Sequence, residues 1–224
     1  MRNLTPVTVN EDLLHAFDAG AEPVFRIYEP AEVVIVLGAG RRSKPDLVRE
    51  LVDRDGVPVL LRKGGGGTVV LSPGMVVLTL VTGVASSFRN REYAREINGW
   101  IRTALETAGV QGVDHRGISD LALGDRKILG ASLFRRRRIL FYQSSLLVCN
   151  DLSLFDRYLT FPDTVPDYRD GRSHGDFCTS LFEAGYRIAP VELMPPLTRI
   201  VRERLPGLSL LSWCEDAPES DPVC

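Results

Sequence analysis

Histidine and cysteine are both scarce in this 224-residue chain. The three histidines, His15, His115 and His174, show no ligand spacing with the cysteines, so a metal site is not expected. The four cysteines, Cys149, Cys178, Cys214 and Cys224, form no Cys-x-x-Cys pair, and a chain of this size is not expected to rely on a disulfide framework. Neither sign of charge dominates: Lys and Arg number 27 against 29 Asp and Glu, a formal net charge of -2. That balance speaks against a general nucleic-acid binder, which carries a clear basic excess. No apolar run approaches the roughly 20 residues that span a bilayer, so no membrane association is expected. The opening MRNLTPVTVNEDLLHAF has no apolar core of a secretory signal, and the expected location is cytoplasmic. There is no internal repeat.

What the chain does have is an alternation of short strands and helices. VNEDLLHAFDAG reads as a helix capped by Asn10 and closed by Gly20. VFRIYEP and EVVIVLG read as strands separated by a Glu-Pro turn. SKPDLVRELVDRDG reads as a helix with Ser43 as cap and Leu47, Leu51 and Val52 inside. VPVLLRK and MVVLTLVTG are strands on either side of a glycine run. NREYAREINGWIRTALETAG is the strongest helix, with Tyr93, Ile97, Ile101 and Leu105 recurring every four residues. Three strand-like runs follow, ISDLALGD, RKILGASLF and RILFYQSSLLV, turning at Gly124-Asp125 and at the arginines. DLSLFDRYL is a short helix, residues 160–175 a loop rich in Pro, Asp and Gly, FCTSLFEAGY a further apolar segment, and PVELMPPLTRIVRERL a last helix. The order predicts an α+β fold with a mostly antiparallel sheet, one domain over residues 1–208, and a polar tail over 209–224.

The glycine run stands out: LLRKGGGGTVV places four glycines directly after Arg62 and Lys63. Glycines leave backbone N–H groups open to a ligand, and two cations beside them favour an anion. A flexible hairpin turn explains the same residues. The run is neither a Walker loop, since no Gly-Lys-Ser/Thr follows, nor a dinucleotide fingerprint, since a strand rather than a helix follows.

The order of the surrounding features adds information. LLRKGGGGTVVLSPGMVVLTLV, then GISDLALGDRKILGASLF, then LFYQSSLLVCNDLSLFDRYL resembles the catalytic domain of the lipoate–protein ligases, a family grouped with biotin ligases and octanoyltransferases. The resemblance runs from about Val24 to about Leu181. It implies a class II synthetase-like fold and an enzyme that makes an acyl-adenylate from ATP, with Mg2+, and passes lipoate or octanoate to a lysine of a lipoyl carrier domain. Gly65, Gly66 and Gly67 would line the nucleotide site, with Gly64 in place of the family's serine, and Arg62 and Lys63 beside them. Lys127 falls on the lysine of the Lys-Ile-x-Gly strand, followed by Gly130 and Ala131 as further nucleotide-lining positions, and Asp120 falls on the aspartate of the family's Asn-Asp segment. The chain departs from the pattern at Leu61, Met75, Ser119 and Gln143-Ser144-Ser145, where the family usually has Arg, Asn or Gln, Asn and His-Gly-Thr.

A carboxylate does not acylate an amine at neutral pH, so fixed donors and a cation are needed where phosphate charge develops. Lys127 on a strand would be a rigid mount for that cation. Val34, Val36, Leu71 and Leu78 are candidates for an apolar acyl pocket by strand position, and core packing explains them equally well. Cys178 is the alternative nucleophile: related octanoyltransferases use a cysteine thioester fed by acyl carrier protein, although their cysteine lies several residues earlier. A third reading is a non-catalytic binder of an acyl group or nucleotide. Arg135 to Arg138 read as a solvated turn, compatible with docking an acidic carrier rather than nucleic acid. Many ATP-dependent relatives carry a small accessory domain after the catalytic one, so a separate accessory subunit is a further expectation.

Overall fold

The computed structural model describes residues 10–18, 22–41, 45–85 and 89–208. In chain order these form α1 (Glu11–Asp18), β1 (Val24–Tyr28), β2 (Val34–Leu37), α2 (Arg49–Asp55), β3 (Val59–Leu61), β4 (Val69–Leu71), β5 (Met75–Gly83), α3 (Asn90–Thr107), β6 (Val113–Arg116), β7 (Asp120–Leu123), β8 (Arg126–Arg136), β9 (Ile139–Leu147), α4 (Ser153–Tyr158), α5 (His174–Phe177) and α6 (Pro190–Leu208). Gly20, Ser43, Cys214, Cys224 and the expected tail over 209–224 lie outside the described residues.

Six strands make an antiparallel sheet in the order β1-β5-β9-β8-β7-β6. A smaller sheet, β3-β2-β4, contains the one parallel pair among the described strands, β2 with β3, joined by α2 as crossover. The α+β expectation with mostly antiparallel pairing is therefore met. Strand β5 is buried from Met75 to Thr82, its two threonines included, because both of its faces are covered. Val76, Leu78 and Leu80 pack against α3 and α6, where Tyr93, Ile97, Trp100 and Ile101 are all buried. Met75 and Val77 point to the opposite side, into a second core shared with Ile35, Leu37 and Val70 of the small sheet and Phe155 of α4.

One local reading changes, and two elements without an assignment in the sequence take shape. Asn10 does not cap α1 with its side chain: it has φ 59, and its amide donates to Thr79 Oγ1 at 2.9 Å and Tyr28 Oη at 3.3 Å. Asparagine tolerates the left-handed region, which turns its side chain toward β5 instead of the helix start. Strand β6 carried no sequence signal, since only Val113 of its four residues is buried. The apolar segment FCTSLFEAGY is neither strand nor long helix: it ends α5 and then turns. Of the arginine cluster, Arg137, with φ 54, and Arg138 form the turn between β8 and β9, while Arg135 and Arg136 end β8. Arg135 leans back on α3, where it donates to Asn90 Oδ1 and lies over the Tyr93 ring.

Candidate active site

A cleft of about 780 Å3 opens between the small sheet with its glycine loop and the β8–β9 face of the large sheet, with the 160–175 loop as its third wall. Its lining includes Arg62, Gly66, Gly67, Asp120, Lys127, Gly130, Ala131 and Cys178. Eight of the sequence candidates thus meet in one place although they span more than half of the chain. Lys63, Gly64 and Gly65 are not among the lining residues. Lys63 turns outward to an ion pair with Glu11 and lies over the Phe134 ring. Gly64 is pressed onto β8, where a Cβ would stand 2.8 Å from Ser132 Oγ.

Lys127 reaches the cleft because of an irregularity in β8. Asp120 pairs with Gly130 and Ala122 pairs with Lys127, but the register shifts between Leu121 and Ala122. Side chains alternate along a strand, so residues 127 and 130 would normally point to opposite faces. The bulge absorbs Ile128 as an extra residue and restores the phase, so that Lys127, Asp120 and Gly130 share the cleft face while Ile128 and Leu129 enter the helix-side core. Lys127 Nζ then lies 2.8 Å from Asp120 Oδ1. Tyr168 Oη donates to Asp120 Oδ2 at 2.8 Å, and burial beside that carboxylate pushes the Tyr168 phenol well above its ordinary range, so it remains a donor. Gly130 is required by space: a Cβ there would sit 2.8 Å from both Cε and Nζ of Lys127.

The glycine loop is held from within. Arg62 donates to the carbonyls of Gly67 at 2.6 Å, Gly65 at 2.9 Å and Val36 at 3.3 Å. Burial lowers this guanidinium to about 10, and among the described residues no carboxylate pairs with it. With the loop carbonyls drawn inward, the N–H groups of Gly65, Gly66 and Gly67 find no acceptor among the described residues. Those of Gly66 and Gly67 belong to the cleft lining, and successive free N–H groups are the kind that receive an anion. Gly66 has φ 90, and a Cβ on Gly38, at the end of β2, would stand 2.1 Å from the Gly66 carbonyl oxygen.

Cys178 is buried at the cleft wall and bridges to Lys127 through the backbone. Desolvation pushes its thiol up to about 11, against the smaller opposing influence of Lys127 and Arg169. His174 bonds through Nε2 to the Thr160 carbonyl, not to the sulfur. Of the four apolar candidates, Val36 and Leu71 line the cleft, Leu78 packs under the helices, and Val34 flanks the second core. Tyr168 and Arg169 were not singled out by the sequence, because a polar turn inside a Pro- and Gly-rich loop carries no periodicity. Among the described residues, no group of three or more His, Cys, Asp or Glu is placed to hold a metal ion. No described helix is long and apolar enough to cross a membrane.

The family model for the lipoyl protein ligase A/B catalytic domain matches residues 3–197. The chain belongs to that family. It is an enzyme, a lipoate–protein ligase or a related acyltransferase. Solved structures with the same fold include lipoate-protein ligase A bound with ATP, at 20% identity and TM-score 0.71, covering 88% of this chain and 78% of that one. The T. acidophilum protein Ta0514 with bound lipoic acid is 18% identical, with TM-score 0.71 and the same coverage of 88% and 78%. A bi-partite lipoate protein ligase from Thermoplasma acidophilum, described with its E2 lipoyl domain, is 18% identical with TM-score 0.71, covering 85% of this chain and 76% of that one. No curated protein matches the sequence.

Proposed function

We propose that this chain activates lipoate or octanoate with ATP and transfers the acyl group to a lysine of a lipoyl carrier domain. The observation that carries the reading is the Lys127–Asp120 pair at 2.8 Å inside the cleft that the glycine loop also lines. In the first step the acid's carboxylate oxygen bonds to the α-phosphorus, the α–β bridging bond breaks, and pyrophosphate leaves with the electron pair. Charge on the α-phosphate and the acyl carbonyl is then met by the Lys127 ammonium and the free loop N–H groups. In the second step the neutral amine of the carrier lysine attacks the carbonyl carbon, AMP leaves, and the amine's surplus proton passes to solvent. Asp120 is a positioning residue: it holds Lys127 in place, and Tyr168 holds Asp120. Mg2+ would enter on the phosphates of ATP.

The relatives that bind lipoic acid and ATP support this substrate pair. The bi-partite T. acidophilum ligase and its E2 lipoyl domain support a carrier-domain partner and a separate accessory subunit. Against the thioester alternative stands the Cys178 thiol, raised to about 11 rather than activated.

The test is mass spectrometry of a purified lipoyl domain incubated with the protein, lipoate or octanoate, and Mg-ATP. A mass gain that needs ATP and is lost in Lys127→Ala, but survives Cys178→Ala, is expected. A gain from octanoyl carrier protein without ATP that needs Cys178 would replace the ligase by the transferase. No gain in either arm, with or without an added accessory subunit, would leave the binder.

A further inference from the structure

Arg169, at the end of a single 3-10 turn (Asp167–Arg169) in the 160–175 loop, is a buried arginine with no counterion among the described residues. It is 4% exposed and lines the cleft. Its Nε donates to the Arg172 carbonyl at 2.9 Å, and the faces of Phe161 and Phe177 lie 4.7 and 5.1 Å from the guanidinium carbon. Nη2 is buried and has no acceptor, and among the described residues no carboxylate pairs with Arg169. Burial lowers its pKa. Arg169 shares the cleft lining with Lys127 and with Cys178, which bridges to Lys127 through the backbone.

A buried charge without a partner is costly, and aromatic faces offset only part of that cost. The neighbouring Arg172 is itself a cation, committed to Asp125 and backbone carbonyls, and among the described residues no carboxylate forms an ion pair with Arg169. Nη2 is thus an unpaired donor in the wall of the cleft that Arg169 lines.

We propose that Arg169 binds an oxyanion of the substrate pair, either the carboxylate of the acyl acid or a phosphate of ATP, in the cleft that the glycine loop also lines. The assignment rests on the ligase reading for the identity of its ligands. The experiment is calorimetric titration of the full chain with octanoate and, separately, with Mg-ATP, for wild type, Arg169→Met and Arg169→Lys, together with ligand-free melting temperatures. Arg169→Met is expected to weaken one of the two ligands by at least about tenfold while leaving the other within about twofold. Loss confined to octanoate assigns the carboxylate; loss confined to Mg-ATP assigns a phosphate. Arg169→Lys keeps the charge without the fork and should recover part of the lost affinity. The ligand-free melting temperature of Arg169→Met should change little, because the lost bond to the Arg172 carbonyl and the ring contacts are offset by removing a buried unpaired charge. Unchanged affinities overturn the proposal, as does a fall in ligand-free stability with equal loss of both ligands, which would make Arg169 a structural tie. A wild type that binds neither probe also overturns it. Labelling that still depends on Lys127 would then leave the ligase reading intact.

Discussion

The amino group of Lys127 occupies the space that a side chain on Gly130 would need. A Cβ at position 130 would lie 2.8 Å from both Nζ and Cε, and Nζ is the atom that pairs with Asp120. The strand bulge brings the two residues to one face, and the glycine then makes room for the cation.

Gly130→Ala is therefore expected to keep the fold and lose turnover. The displaced atoms are the far end of a flexible side chain, so stability should change by about 1 kcal/mol or less. Lys127 must move off Asp120, and a misplacement of about 1 Å at such a group costs on the order of 100-fold in rate. Steady-state labelling of a lipoyl domain beside a thermal melt measures both. Normal turnover in the Ala variant would show that the present position of Lys127 is not the working one.

Gly38→Ala should do the reverse and fail by stability. Its Cβ would meet the Gly66 carbonyl oxygen at 2.1 Å, and both partners are backbone. A cost of about 3 kcal/mol is expected, with a fall in melting temperature of roughly 6–12 °C. Ligand-induced stabilisation by Mg-ATP should shrink as well, since the glycine loop is the part pushed aside. A melting curve superimposable on wild type would contradict this packing.

Cys178 should behave as a buried neutral thiol. Its folded pKa of about 11 lies above the ordinary 9.0. The neutral form therefore carries no penalty below about pH 9. Stability is lost as pH rises from there through about 11, because the unfolded thiol ionises first. Peptide mapping after iodoacetamide treatment should find position 178 protected at neutral pH while the exposed Cys149 reacts. Cys178→Ala should retain ATP-dependent labelling at a stability cost of about 1 kcal/mol. Rapid alkylation at neutral pH would reopen the thioester route.

Local pattern carried much of this protein. Four-residue spacing from Tyr93 to Leu105 was sufficient for α3 because burial of one helical face writes itself directly into sequence. The glycine run, the Lys-Ile-Leu-Gly strand and the Asp120 segment were also legible, since each needs a residue type at a short fixed spacing. What only tertiary structure decided was direction and partner. Arg62 and Lys63 are adjacent cations, yet one ties down loop carbonyls from within while the other meets Glu11 outside. The phase of Lys127 depends on a single extra residue in β8, which alternation cannot reveal because Ile128 and Leu129 are both apolar and both buried. Arg169 became visible only when a loop without periodicity folded over the cleft. Burial, not spacing, turned an ordinary surface residue type into a charge with no counterion among the described residues.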